Sequence, residues 1–545
     1  MTASKNRGAD ALITSLQQAG VKRIFTLSGN HIMPVFDAAF EAGIELIHTR
    51  HEAATVHMAD AYARITGEPG IALVTGGPGH ANAVSALYTA QMAESPVVLL
   101  SGHAPNNQLG MGAFQEVRQA EMAAPVTKLS WASASADALA SDIKKAISTA
   151  QSGRPGSVHL SLPTDALEGE TSSGHAAPDS SAFQPVAMPL ASADADSMLA
   201  RLSRAKRPLI LTGPASMMRL RREQVIALEA ATGIPVVGME SPRGIGDPSL
   251  GAFAQMLAQS DCVLLLGKRL DFTLKFGTSP AFAAECEFLQ VDADPHEIER
   301  SQRAVGARLI ATALADTPSA IRALLAASIS AVKPDGAWRN DVHAAIDYRP
   351  DAWNHAVSSI ADRLHPVQAL RPLQALLDSH PDAVFISDGG EIGQWAQACL
   401  NAPHRVINGV AGAIGAALPF ALGARVAVPD APIIAVMGDG TFGFHTAEMD
   451  TAVRYGLPFL AVVGNDARWN AEYQIQLRDY GRERLVGCEL LPARYDEVTA
   501  AFGGHGECVT GSAALMPAAM RAIASGKPSC LNVMIEGLPA PNVRR

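Results

Sequence analysis

Charge is scarce in this chain. Only 18% of its 545 residues are Asp, Glu, Lys or Arg, and acids outnumber bases 53 to 43, for a net charge of −10. No basic run offsets that balance, so the electrostatic footprint a phosphate backbone demands is missing and a nucleic-acid partner is excluded. Long apolar runs are missing as well. No stretch of about 18 apolar residues is free of charge, so no membrane span is expected. The opening MTASKNRGADALI lacks the apolar core of a secretory leader. The six cysteines, at 262, 286, 399, 488, 508 and 530, form no CxxC pair. That scatter excludes a disulfide framework or a zinc ribbon and fits reduced thiols in a cytoplasmic protein.

What the chain does have is aliphatic bulk, 48% hydrophobic residues over a length that predicts about three domains. Short apolar runs ending in Gly or polar residues alternate with helix-like stretches. RIFTL, ELIHT, GIALVTGG and PVVLLSG read as strands of a first unit, residues 1–165. PLILTG, IPVVGM, CVLLLG and FLQVDAD read as strands of a second, residues 190–327. VFISDGG, IIAVM, FLAVVG and CLNVMIE read as strands of a third, residues 360–545. Strands apolar throughout belong in parallel sheets covered by helices on both faces. The expected fold is therefore α/β, three consecutive doubly wound parallel-sheet domains. Residues 166–192, rich in Gly, Ser, Ala and Pro, read as a linker, and 328–365 as a second connection.

The most informative stretch is 436–470. The run IIAVM ends in Gly438-Asp439-Gly440-Thr441, a helix-like segment follows, and FLAVVG ends in Asn465-Asp466. Right-handed crossover puts two such strands side by side with both loops at one sheet edge. Asp439 and Asp466, 27 residues apart, can then face one gap. Hard oxygen ligands beside a glycine turn at a helix start suit Mg²⁺ holding a diphosphate. Gly440 allows close backbone approach, and Thr441 can donate to phosphate. Taken alone, the stretch also fits an ordinary βαβ unit.

This pattern resembles the thiamine diphosphate (ThDP) motif, and the domain order resembles the pyruvate-oxidase-like branch of ThDP enzymes over essentially the whole chain. The resemblance implies a pyrimidine-binding, a middle and a diphosphate-binding domain. It implies ThDP and Mg²⁺ as cofactors, with Asp439, Asp466 and the backbone carbonyl of Arg468 on the metal. The family usually has Asn where this chain has Asp466. Glu52, in the context His51-Glu52-Ala53-Ala54, matches the glutamate that hydrogen-bonds N1′ of the aminopyrimidine. A carboxyl shuttling a proton there lets the 4′-amino group become the base that deprotonates C2, best if burial raises its pKa. The spacing His51-Glu52-x₄-His57 is not HExxH, so a zinc reading is set aside. Pro78 and Asn82 match the family's GPG-x-x-N and would line the aminopyrimidine. Ile414 would prop the cofactor in its bent shape, and the Gly412 carbonyl would accept from the amino group. Gly390 and Glu391 would reach the diphosphate with Gly438, although acetolactate synthases carry Gln at the Glu391 position. In the family, the glutamate of one subunit meets the GDG of another, so a homodimer is the expected minimum and a homotetramer the expected assembly.

For the substrate pocket, Gly112-Ala113-Phe114-Gln115-Glu116 resembles a stretch of acetolactate synthases and 2-hydroxyacyl-CoA lyases. Phe114 and Gln115 would face the thiazolium, with Gln115 polarising the substrate. Acetolactate synthases carry Trp nine residues after the second metal position, where this chain has Ile475. Trp469, and His31 after Asn30, resemble benzaldehyde lyase, and His31 is the candidate for proton transfer. The segment 267–272 resembles one that holds FAD or ADP in relatives, and the other reading is a plain sheet-edge loop. The expected function is a ThDP- and Mg²⁺-dependent carboligase or lyase acting next to a carbonyl, acetolactate synthase-like, on 2-oxoacids or 2-hydroxyketones. The alternatives are a simple 2-oxoacid decarboxylase, a 2-hydroxyacyl-CoA lyase, and a catalytically idle protein that acts by assembly.

Overall fold

The computed structural model describes residues 6–40, 42–172, 178–328 and 336–545. Parts of three sequence readings lie outside the described residues: the first five positions of the opening segment, 173–177 of the linker, and 329–335 of the second connection. By contacts the chain divides into two compact units, one reaching Val186 together with Leu422–Ala427, the other holding the remainder.

The first unit holds six strands: β1 (Arg23–Thr26), β2 (Glu45–His48), β3 (Gly70–Val74), β4 (Val97–His103), β5 (Leu129–Ala132) and β6 (Val158–Pro163). Their order is 2-1-3-4-6-5, and every pairing is parallel. The central β3 and β4 are buried at every position, as a doubly covered sheet requires. Leu12, Ile13 and Leu16 of the helix Gly8–Gln18 join Ile143 and Ile147 of Leu139–Gln151 in one core. The buried Asp60 and Arg64 pair at 2.6 Å within the helix Glu52–Thr66.

The second unit contains two sheets. The first of these has β7 (Pro208–Thr212), β8 (Val236–Gly238), β9 (Cys262–Leu266), β10 (Glu287–Asp292) and β11 (Leu309–Leu314), in the order 11-10-9-7-8. Its two faces feed separate cores by the two-residue period of a strand. Leu209, Leu211, Val263 and Leu265 enter one, and Ile210, Leu264 and Leu266 enter the other. The last sheet has β12 (Val384–Ser387), β13 (His404–Ile407), β14 (Ile433–Gly438), β15 (Leu460–Asn465), β16 (His505–Val509) and β17 (Ser529–Met534). Its order is 13-12-14-15-17-16, also parallel.

Two expectations change here. The second connection is not merely a linker: the helix Gly336–Ile346 buries Trp338, Val342 and Ala345 in the middle core, and Trp338 Nε1 donates to Pro208 O at 2.9 Å. Its apolar residues are few but spaced on one face, which is enough for a short helix to dock. The segment after the GDG turn is two short helices, Asp439–Phe442 and Glu448–Arg454, rather than one.

The middle and last sheets of this unit are tied by charge. Arg405 donates to Glu240 at 3.0 Å, both side chains only 9% exposed. Arg349 donates to Ala398 O at 2.8 Å and to Ser249 O at 3.1 Å. Among the described residues, no helix is long and apolar enough to cross a membrane.

Candidate active site

In the second unit, the carboxyl ends of β12, β14 and β15 open on a recess of about 80 Å³. That edge is where doubly wound sheets bind ligands. Gly438, Asp439, Gly440 and Thr441 form one wall and Asp466, Arg468 and Trp469 a second, while Gly390, Glu391, Ile414 and Glu472 are also in the lining. The pairing of β14 with β15 explains why residues 27 apart in sequence share this space. Asp439 is 2% exposed, and its Oδ2 has no hydrogen-bond partner among the described residues. Burial pushes its carboxyl up to about 6, against the pull of backbone N–H groups. Burial, then the charge of Asp439, pushes Asp466 up to about 7. Two carboxylates removed from water and repelling each other are a poor arrangement without a counter-ion, and a divalent cation answers both costs. The neighbouring Asn465 does not compete. Its amide donates to Asn532 Oδ1 and Ala493 O, each at 3.0 Å. No cluster of three or more His, Cys, Asp or Glu side chains placed for a metal occurs among the described residues. A cation at the Asp pair would therefore need backbone, ligand or water oxygens to complete its shell.

The glycines of the recess have separate reasons. A Cβ on Gly440 would lie 2.6 Å from the Trp469 ring, so Gly440 makes room for an indole as much as for a ligand. A Cβ on Gly389 would lie 2.6 Å from Ile414 Cγ2. The Thr441 hydroxyl donates to Gly438 O at 3.1 Å, so in this conformation it is not the free phosphate donor that was expected. A hydroxyl three residues along a tight turn finds that carbonyl first. Gly412 sits at φ +68 in the loop that also carries Ile414. Ile475, expected in the pocket, lies 46% exposed on the helix Asn470–Tyr480 and does not line the recess.

Asp388, Arg243 and Phe444 also shape this site. Asp388, buried, accepts from the N–H groups of Gly389 (2.7 Å), Gly415 (2.9 Å) and Ala417 (3.2 Å), which pins the Ile414 loop to the end of β12. Arg243 Nη2 stands 3.9 Å from Glu391 Oε2, and burial raises Glu391 while that cation opposes the shift. Phe444 meets Trp469 edge-on, with ring centres 6.2 Å apart. The only hint in the sequence was the acid preceding Gly389, since aspartate at a strand end readily collects backbone N–H groups.

The first unit assembles a second group. Glu52 opens the helix Glu52–Thr66, whose cap is His51 Nδ1 accepting from Ala53 N at 3.1 Å. Asn82 Nδ2 donates to Glu52 Oε2 at 3.0 Å. Asn82 and Pro78 lie in the first turns of the helix Pro78–Met92, where a Cβ on Gly79 would meet Thr75 Cγ2 at 2.8 Å and Glu52 Oε1 at 3.4 Å. His31 is buried, hydrogen-bonds Thr75 Oγ1 at 3.2 Å and stacks on Phe114 with ring centres 5.9 Å apart. Burial lowers its pKa. Asn30 beside it is exposed. Gln115 has φ +58, which side-chain residues seldom adopt. Glu116 holds it there by accepting from the N–H groups of Gly110, Gly112 and Ala113. Gln119, unremarked in the sequence, accepts from Gly77 N at 2.8 Å and donates to Gly102 O at 3.1 Å and Ser161 Oγ at 3.0 Å.

Three parallel sheets, a buried acid pair at one strand edge and a glutamate–asparagine pair at another define an α/β enzyme built for a phosphorylated ligand. Family models agree in order along the chain. Residues 6–122 match the thiamine pyrophosphate enzyme N-terminal TPP binding domain, 195–315 the central domain, and 388–533 the C-terminal TPP binding domain. The acetolactate synthase large subunit IlvG of Mycobacterium tuberculosis is 32% identical over 536 residues, covering 96% of this chain and 94% of that protein. The 2-hydroxyacyl-CoA lyase 2 of Bos taurus is 30% identical over 559 residues, covering 93% and 85%. The acetolactate synthase large subunit of Parasynechococcus marenigrum is 29% identical over 559 residues, covering 97% and 87%. The chain belongs to the thiamine pyrophosphate enzyme family and is a thiamine diphosphate-dependent enzyme.

Proposed function

We propose that the protein is a ThDP- and Mg²⁺-dependent carboligase or lyase that makes or breaks a carbon–carbon bond next to a carbonyl, in the manner of an acetolactate synthase. The observation that carries this reading is the buried Asp439–Asp466 pair with its unpartnered Oδ2, set among strand-end glycines. Those residues fit a cation bridging to a diphosphate. Asp439, Asp466 and the Arg468 carbonyl would hold the metal. Gly390, Glu391, Gly438, Gly440 and Thr441 would meet the diphosphate, while Gly412, Ile414, Pro78 and Asn82 would meet the aminopyrimidine. When bound, ThDP supplies a nucleophilic carbon that attacks carbonyls and stores the resulting electron pair.

The protein's own part is proton handling and shape. Glu52 exchanges a proton with the pyrimidine nitrogen, held in place by the Asn82 amide. Gln115 donates to the substrate carbonyl oxygen, and His31, kept neutral by burial, moves a proton beside Phe114. Asn30, Phe114 and Trp469 would bound the substrate. Ile475 is left to an outer position that tunes the second substrate, as its exposure suggests.

Loading the protein with ThDP and Mg²⁺ and following ¹³C-labelled pyruvate by NMR tests the proposal. Acetolactate or acetoin supports it. Acetaldehyde alone replaces it with a simple decarboxylase. A second reading, cleavage of 2-hydroxyacyl-CoA, is favoured by the similarity to the Bos taurus lyase over most of both chains. Untouched pyruvate with turnover of a 2-hydroxyacyl-CoA would select it. We leave FAD and ADP out of the proposal: Lys268, in the segment that suggested them, is buried and donates to Thr273 Oγ1 at 2.7 Å. A homodimer as the minimum and a homotetramer as the working assembly, in the cytoplasm, complete the proposal. Sedimentation of the holoenzyme would decide the assembly.

A further inference from the structure

The recess carries more negative charge than a cation site for a diphosphate needs. Asp439 and Asp466 are 2% and 8% exposed, so neither charge is dispersed by water. Two nearby arginines, Arg468 and Arg363, offset part of the charge at Asp466, and each also has another partner. The Arg468 guanidinium lies 4.2 Å from the Tyr473 ring centre, and Arg363 donates to Ile535 O at 2.8 Å. The unpartnered, buried Oδ2 of Asp439 is a second sign that the acid pair waits for a ligand.

We propose that this second carboxylate sets the order of assembly: a divalent cation binds Asp439 and Asp466 in the cofactor-free protein, and the diphosphate follows onto the cation. The inference rests on the reading of the recess given under Proposed function. Charge counting decides the order. A diphosphate arriving first would meet the buried acid pair with no divalent cation between them. Arriving after the cation, it meets a site whose acid charge the cation has offset. With an amide at position 466, the acid pair would carry one charge less. The cation alone would then bind more weakly, and a bound cation would leave a net positive site that holds the diphosphate more tightly. Asp466 thus shifts affinity from the cofactor to the metal. Removing one unit charge beside a bound cation in so buried a site should shift each affinity by about tenfold or more.

The test uses the full-length protein stripped of ThDP, with Mn²⁺ as the probe and electron paramagnetic resonance counting the free ion. The expected result is one Mn²⁺ bound per chain without ThDP, displaced by Mg²⁺. Asp466→Asn should weaken that binding at least about tenfold, and at saturating Mg²⁺ should tighten ThDP binding measured by calorimetry. The proposal is overturned if the wild-type protein takes up Mn²⁺ only after ThDP is added. It is also overturned if Asp466→Asn binds Mn²⁺ as tightly as wild type. The wild-type titration stands whether or not the variant folds. Failure of the underlying reading looks different: with Mg²⁺ saturating, ThDP would neither release heat nor raise the melting temperature, whatever Mn²⁺ does.

Discussion

Asn82 donates its side-chain amide to Glu52 at 3.0 Å, joining the starts of two helices that follow different strands. The bond takes Oε2 of Glu52, while Oε1 lies near Gly79 and Thr75. Glu52→Gln keeps the shape and removes the proton. It should slow deuterium exchange at C2 of bound ThDP by about 10²- to 10⁴-fold while ThDP still raises the melting temperature. Normal exchange in that variant would end the assignment of Glu52.

Gly440 faces the Trp469 ring so closely that an added Cβ would sit 2.6 Å away. Gly440→Ala must therefore push the indole out or shift the turn that carries Asp439. We expect the melting-temperature gain from ThDP and Mg²⁺ to shrink by half or more, a loss of about 1–3 kcal/mol from overpacking. An undiminished gain, followed by differential scanning fluorimetry, would mean the turn adapts freely.

His80 is buried against His159, their ring centres 4.4 Å apart, and burial lowers its pKa to about 4. His159 is lowered well below its usual value for the same reason. Both are neutral in the fold and would charge at about 6.5 in the unfolded chain. Their contribution is present above pH 6.5 and is lost as pH falls through about 4 for His80. His80→Gln should flatten the acid limb of the stability profile, reducing the loss between pH 6.5 and 4 by about 3 kcal/mol. Urea melts across that window in both proteins would check it, and parallel curves would contradict the assignment.

Glu116 ties the N–H groups of Gly110, Gly112 and Ala113 into one loop and so keeps Gln115 at φ +58. Glu116→Ala should release that loop at little cost in global stability, because loop ends relax into water. We expect kcat to fall about tenfold or more, since misplaced catalytic groups lose rate faster than binding. Steady-state kinetics beside a thermal melt separates the two effects. Unchanged kcat would free Gln115 of any dependence on Glu116.

The three-sheet plan was legible because its central strands are buried on both faces and show unbroken apolar runs. The strands absent from the sequence reading are mostly sheet edges. Leu129–Ala132, Leu309–Leu314, His404–Ile407 and His505–Val509 each end a sheet, and three of the four are half-exposed or exposed at most positions. Val158–Pro163 was missed for another reason: it is fully buried but carries His159 and Ser161, hydrogen-bonded to Ser130 and Gln119. The Asp439–Asp466 gap could be foreseen because crossover topology fixes where strand ends go. The roles of Asp388 and Gln119 could not, since each works through backbone N–H groups supplied by distant loops. Nothing in the sequence places Ile475 outside the recess, because helix phase is set by what the helix packs on.

The Arg405–Glu240 pair and the four carbonyls that receive Arg349 have a bearing on how this chain could be taken apart. A fragment beginning near residue 360 would keep the whole acid-pair recess in sequence. It would also strand Arg405 without its acid partner, uncover the carbonyl of Ala398, and lose Arg243 from beside Glu391. The natural place to cut lies instead near Ala187, where the second unit begins. Modular exchange with a relative, to borrow a new substrate preference, should therefore move the middle and last sheets as one cassette.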